Sequence, residues 1–306
     1  MSEYHNPVML SECIEGLDLK PGGIYVDVTF GGGGHSKAIL DKLDGLDNPK
    51  SKLIAFDQDD DARENADLIE NRSFTFVQSN FRYLKKYLRL HGIKQVDGIL
   101  GDLGVSSHQI NEPGRGFSTR FDGPLDMRMN QGQKLSANEV INTYEQADLH
   151  KILGQYGEVR NAKTLADAIC KARSSRSINT IFDLLEVIKP FAPRGKEFKY
   201  YAQVFQGIRI EVNEEMKALE EMLEQSAELL KSDGRLVIMS YHSLEDRPVK
   251  NYINKGKFFG EVEKDFYGNE IKPFKALNRK PIVASDQEIN ENNRARSAKL
   301  RVAIKI

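Results

Sequence analysis

At 306 residues the chain is long enough for one large or two modest domains, and a 40% hydrophobic composition supports a real core. Lys and Arg number 44 against 45 Asp and Glu, a formal charge of −1, so a nucleic-acid partner could be argued only from local clusters. The two cysteines, Cys13 and Cys170, form no CxxC pair, which excludes a disulfide framework and a cysteine zinc site. No apolar run approaches the roughly 20 residues of a membrane helix. The start, Met1-Ser2-Glu3-Tyr4-His5, lacks a charged-then-apolar signal pattern, so the expected location is the cytoplasm.

In chain order, β-branched runs at Gly23–Phe30, Lys52–Asp57, Phe74–Ser79 and Val96–Asp102 alternate with helical periodicity. Strands joined by crossover helices pair in parallel, so the expected fold is a doubly wound α/β sheet. The pattern stops near Ser107. It resumes with a helix from about Glu214, for which Asn213 is the expected N-cap, Met216, Leu219, Leu223, Ala227 and Leu230 the apolar stripe, and Gly234 the residue just past the end. A fifth strand follows at Arg235–His242, and Ala298–Ile304 reads as a strand pairing antiparallel at a sheet edge. Between them the helical patterns Ala162–Arg173 and Ile181–Lys189, with no convincing strand, predict a small helical insert. The resulting domains are 1–108 with 209–306, interrupted by 109–208.

Gly31-Gly32-Gly33-Gly34 follow the first strand and precede a helix expected near His35, so the backbone can turn tightly and approach a ligand; a glycine-rich turn without a ligand is the plain alternative. No GxxxxGK[ST] is present, and Ser36 and Lys37 stand where a third glycine of GxGxxG would fall. Nucleotide-phosphate binding and nicotinamide chemistry are thereby disfavoured. Asp57, at the second strand end, can accept from the two ribose hydroxyls of an adenosine-containing cofactor, while Asp59, Asp60 and Asp61 read as helix-start charges. Phe81 can lie against an adenine ring or belong to the core. Asp102, at the fourth strand end, can steady a charged cofactor end or accept from a substrate amine, or simply cap the next turn.

Six longer strings sharpen this reading: HNPVML at 5–10, DVTFGGGGHS at 27–36, DLGVSS at 102–107, GRGFS at 114–118, GPLDMRM at 123–129 and HSLEDR at 242–247. They run through nearly the whole chain, with FQGIRI at 205–210 and RARS at 294–297, and resemble the ribosomal RNA small subunit methyltransferase H family. That resemblance implies a Rossmann-like class I methyltransferase sheet with an inserted helical domain, and S-adenosylmethionine as cofactor. It also implies methyl transfer to N4 of one decoding-region cytidine, cytosine-1402 of 16S ribosomal RNA within the small ribosomal subunit. Matched by position, Gly33, Gly34, His35, Asp57, Phe81, Asp102 and Gln109 look like the family's cofactor-binding residues. Asn293 departs from the pattern, standing where a proline usually precedes Arg294-Ala295-Arg296.

Cytosine N4 is a weak nucleophile, so its methylation needs alignment and an acceptor as the nitrogen gains positive charge; Asp102 or a nearby carbonyl is the candidate. Tyr241, His242 and Ser243 are expected to line the base pocket, although a buried, hydrogen-bonded His242 is equally compatible. Arg115 and Arg128 sit in glycine-punctuated loops, able to close over substrate or to pair internally with Asp122 or Asp126. Between Val159 and Tyr200 nine Lys and Arg face four acids, and Arg294, Arg296, Lys299, Arg301 and Lys305 add a C-terminal cluster, both fitting RNA phosphates. No histidine spacing suggests a metal, and a homodimer is left open. A DNA amino-methyltransferase and a non-catalytic RNA-binding assembly factor are the competing functions.

Overall fold

A computed structural model describes residues 7–306; His5 and Asn6, which open the first of the six strings, lie outside the described residues. Two compact units divide the chain, residues 1–104 with 216–306 and residues 105–215. The expected boundary at 208/209 falls inside the continuous helix Glu197–Val212, whereas the two units divide after Glu215.

The first unit carries a seven-stranded sheet ordered β3-β2-β1-β4-β5-β9-β8. Its members are β1 (Ile24–Asp27), β2 (Lys52–Asp57), β3 (Phe74–Gln78), β4 (Val96–Asp102), β5 (Leu230–Ser240), β8 (Phe274–Ala276) and β9 (Lys299–Lys305). Strands β6 (Glu263–Lys264) and β7 (Glu270–Ile271) form a separate hairpin. The first five sheet strands are parallel, β9 runs antiparallel to β5, and β8 antiparallel to β9. The C-terminal strand therefore lies inside the sheet rather than at its edge. Three-residue β8, with one buried side chain, is too short to leave an alternation in the sequence.

The order reverses between β1 and β4, where diverging crossovers open a crevice at the strands' carboxyl ends. Tyr25 holds β1 in place: its hydroxyl accepts from Lys20 N at 2.7 Å, and a Cβ at Gly98 on β4 would meet its ring at 2.8 Å. Asp97 accepts from Ile24 N at 2.8 Å and from Lys231 Nζ at 2.8 Å, tying the starts of β1, β4 and β5.

The helix Glu215–Leu229 buries Ala218, Leu219, Met222, Leu223, Ser226 and Leu229 against the sheet core. Met216 and Ala227 are only half-buried, so the stripe is rotated from the expected one. Gly234 falls within β5, at a register shift beside Asp233, whose φ is +66°. Asn213 is not this helix's N-cap. It terminates Glu197–Val212, with its amide donating to Met127 O (2.8 Å) and Arg209 O (2.9 Å) and accepting from Met129 N (2.8 Å).

The second unit packs the helices Ala137–Thr143, Gln146–Gln155, Ala162–Ser175, Ile181–Ile188 and Glu197–Val212 around its own core, with Leu149, Leu165, Ile181, Val204 and Ile208 fully enclosed. Its β structure among the described residues is one isolated bridge, Pro124 to Thr180. Asn213→Ala strands Met127 O and Met129 N, while Arg209 O keeps the backbone N–H of residue 213, so it should lower the unfolding free energy by about 2 kcal/mol. Urea denaturation checks this, and a loss under about 0.5 kcal/mol would contradict it.

Candidate functional site

Three carboxylates meet at the carboxyl ends of β1, β2 and β4. Asp27, 1% exposed, accepts from Ser36 Oγ at 2.7 Å and Thr29 N at 3.0 Å, so it anchors the glycine turn from below. Asp57 accepts from Gly31 N at 2.8 Å and Asp59 N at 3.0 Å. Asp102 accepts from the Tyr241 hydroxyl at 2.7 Å, and its backbone N donates to Thr29 Oγ1 at 2.6 Å. Asp102 keeps a quarter of its side chain exposed, so it can still meet a ligand, whereas Asp27 is sealed.

Burial raises all three carboxyls above their ordinary range. In Asp57 it outweighs the donors Asp59 N and Gly31 N, and the charges of Asp59 and Asp27 push the same way, to about 6. In Asp27 burial is opposed first by His35, then by Ser36 and Thr29. In Asp102 it is opposed by His35, Tyr241 and Arg294 and reinforced by Asp27. A site with three such acids is short of positive charge, and a cationic ligand would relieve it.

The glycine run feeds the helix Gly34–Gly45, with Gly33 (φ +77°) at its N-cap. A Cβ at Gly33 would meet Phe30 Cζ at 2.7 Å, and one at Gly34 would meet Pro7 Cγ at 2.3 Å, so these two glycines make room for the protein itself. Gly31, with φ +52°, opens onto free space: a Cβ there would touch nothing within 4 Å. His35, buried, donates from Nε2 to Val8 O at 3.1 Å and holds Nδ1 3.9 Å from Asp102 Oδ2. Phe81 opens a one-turn 3-10 helix after β3, half-buried and packed on the core. Asp59 caps the helix Asp60–Asp67 through Asp61 N, as a helix-start charge.

β5 ends at Ser240, so Tyr241 and His242 lie in the turn beyond it and Ser243 opens the helix Ser243–Lys255. Tyr241 N donates to Glu245 Oε2 at 2.8 Å, and His242 Nε2 lies 3.1 Å from Glu245 Oε1. Burial first, then the charge of Asp102, raises the Tyr241 phenol, so the hydroxyl keeps its proton for Asp102. Arg294 stands near enough to lower both Asp102 and Tyr241, while Arg296 is exposed. Arg301 is corrected from the basic cluster: its guanidinium binds Asp246 through Nε at 2.7 Å and Nη2 at 3.1 Å.

Gln109, Arg115 and Arg128 belong to the second unit, each with a local structural task. Gln109 closes a capping box with Ser106, by N to Oγ at 3.1 Å and Oε1 from Ser106 N at 3.0 Å. Arg115 is buried and donates through Nη2 to the carbonyls of Arg128 (3.0 Å) and Met129 (3.1 Å). Arg128 grips Asp126 with Nη2 at 2.7 Å and donates through Nη1 to Gln131 O and Gln133 O. These arginines brace their loops, and Arg128 takes the internal pairing with Asp126 that was the alternative to closing over a substrate.

Asp27, Thr29, Ser36 and Glu245 were not singled out as site residues. An aspartate in the otherwise hydrophobic run Ile24–Val28 is the available signal for the first. Among the described residues no group of three or more His, Cys, Asp or Glu is arranged for a metal ion, and no helix is long and apolar enough to cross a membrane.

A doubly wound sheet with strand-end acids around an open glycine turn fits a methyltransferase of the adenosylmethionine-dependent class. The chain belongs to the MraW methylase family, whose model matches residues 2–306. It is 60% identical over 300 residues to ribosomal RNA small subunit methyltransferase H of Cytophaga hutchinsonii, covering 98% of this chain and 99% of that one. It is 58% identical to the protein of the same name in Christiangramia forsetii, covering 100% and 99%. Among solved structures, a putative rRNA-methylase from Clostridium thermocellum shares 13% identity with a TM-score of 0.45, covering 99% of this chain and 100% of that one.

Because the folded-state Asp57 value of about 6 exceeds its ordinary value of 3.8, its protonated form favours the folded chain. That contribution is complete below about pH 4 and lost as pH rises through 6. Relative to Asp57→Asn, the ligand-free wild type should therefore lose stability between pH 4.5 and 7. Urea midpoints across this range measure it, and parallel profiles for the two proteins would contradict it.

Proposed function

We propose that the protein methylates N4 of cytosine-1402 in small-subunit ribosomal RNA. Its identity to named small-subunit rRNA methyltransferases over the full chain supports the RNA class, and the Asp102–Tyr241 pair supports attack by an amine. The cytoplasm, where ribosomes assemble, is the corresponding location.

The residues present fit S-adenosylmethionine, which supplies an electrophilic methyl group on a sulfonium. The bare Gly31 backbone leaves room for a ligand to approach, Asp57 has lone pairs left for ribose hydroxyls, and Asp102 places negative charge where a cationic centre would sit.

The N4 lone pair is delocalised into the cytosine ring, so the protein's contribution is alignment and a proton acceptor. Asp102 can accept a hydrogen bond from N4 as the nitrogen gains positive charge, then take its proton once the new N–C bond has formed. A carboxylate with a raised pKa is a better acceptor near neutrality than an ordinary one, and Tyr241 fixes its orientation. A base stacked in a duplex is out of reach of such a crevice, so an unpaired or splayed cytidine is the fitting substrate.

Asp102→Asn should lower kcat by about 100-fold or more. Tyr241→Phe should cost about tenfold, with the acceptor kept but its orientation loosened. Transfer of labelled methyl to isolated small subunits measures both, and nucleoside mass spectrometry locates the product. A methyl group on carbon 5 or at another nucleotide, or transfer to DNA alone, would overturn the proposal.

A further inference from the structure

The basic excess of the second unit is not spread evenly. Arg173 donates to Ile141 O at 2.6 Å and Tyr144 O at 2.5 Å, Lys171 pairs with Asp167 at 2.6 Å, and Arg176 pairs with Asp183. The other six of the nine cations, Arg160, Lys163, Lys189, Arg194, Lys196 and Lys199, are all exposed.

All six lie on two segments that Asn161 ties together. Asn161 donates to Phe191 O at 3.1 Å and accepts from the Tyr200 hydroxyl at 3.0 Å. The start of the helix Ala162–Ser175, with Arg160 and Lys163, is thereby fastened beside the segment 189–200. In the middle of that segment stands Phe198, 84% exposed in the first turn of Glu197–Val212, its ring edge-on to Tyr201 at 6.5 Å. An exposed phenylalanine contributes nothing to a core, and exposed Lys196 and Lys199 flank it in the chain. The nearby acids are few: Glu197, whose carboxylate accepts from Gly195 N at 2.9 Å, with Glu158 and Glu186 on the adjoining elements.

Lysines and arginines around a bare aromatic face match single-stranded nucleic acid, whose phosphates follow the charge while an unpaired base stacks on the ring. A protein partner would find a strongly hydrated, like-charged rim instead of an apolar patch. Resting on the reading of the substrate as RNA, we propose that Phe198 is a stacking platform for an unpaired base of that RNA, with Lys196 and Lys199 holding the adjacent phosphates. Phe198 is then a positioning residue, remote in role from the methyl-transfer chemistry.

Binding of the full-length protein to small ribosomal subunits and to labelled polycytidylate, read by filter retention and fluorescence anisotropy, tests this without any methyl transfer. Phe198→Ala should weaken both by about tenfold, Phe198→Tyr should restore them to within about twofold, and calorimetric affinity for S-adenosylmethionine should not change. Lys196→Ala and Lys199→Ala should each reduce the salt slope by about one. Wild-type RNA affinity in Phe198→Ala, or equal weakness in Phe198→Tyr, would overturn the platform. An absence of methyl transfer by the wild type would overturn the proposed reaction instead, and the binding measurements would still decide the role of Phe198.

Discussion

Three carboxylates forced together in a poorly solvated crevice are the constraint around which the first unit is arranged. Asp27, Asp57 and Asp102 each come from the carboxyl end of a parallel strand, and each is raised by burial. Such crowding opposes folding, because ionised acids lose water and repel one another. The protein answers with donors: Ser36 and Thr29 for Asp27, backbone N–H groups of Gly31 and Asp59 for Asp57, and Tyr241 for Asp102. These donors leave a demand for positive charge that a sulfonium with an ammonium group would meet.

The same arrangement explains why the glycine turn has to be built as it is. Phe30 and Pro7 fill the space above Gly33 and Gly34, so those positions fix the turn and start the helix, while Gly31 is left open with its N–H committed to Asp57. The turn and the second strand end are thus one hydrogen-bonded unit. Across the crevice, Thr29 joins β1 to the Asp102 backbone, and Tyr241 with Glu245 joins β5 to the Asp102 carboxylate. A displacement of any strand end would be felt by all three acids.

Much of this was legible from sequence because period and position are local signals. The βα alternation marked β1 to β4 within two or three residues, and the glycine run, Asp57 and Asp102 fell at strand ends as expected. The rest depends on contacts that the sequence does not order. Asn213 looked like an N-cap because it precedes an apolar stripe, yet its amide is spent on Met127 and Met129 far back in the chain. Arg115 and Arg128 looked like substrate clamps because arginines between glycines can move. Carbonyls and an aspartate of their own loops hold them, a pairing that only the folded chain orders. Asp27 was hidden because its fellow acids come from strands 30 and 75 residues further on.

The central claim is that burial keeps Asp57 partly protonated near pH 6 and that a cationic cofactor ionises it. Calorimetric titration with S-adenosylmethionine near pH 6, repeated in buffers of differing ionisation enthalpy, counts the protons exchanged on binding. Release of a substantial fraction of a proton, abolished in Asp57→Asn, is the predicted result. Binding with no proton release, or with proton uptake, would contradict it.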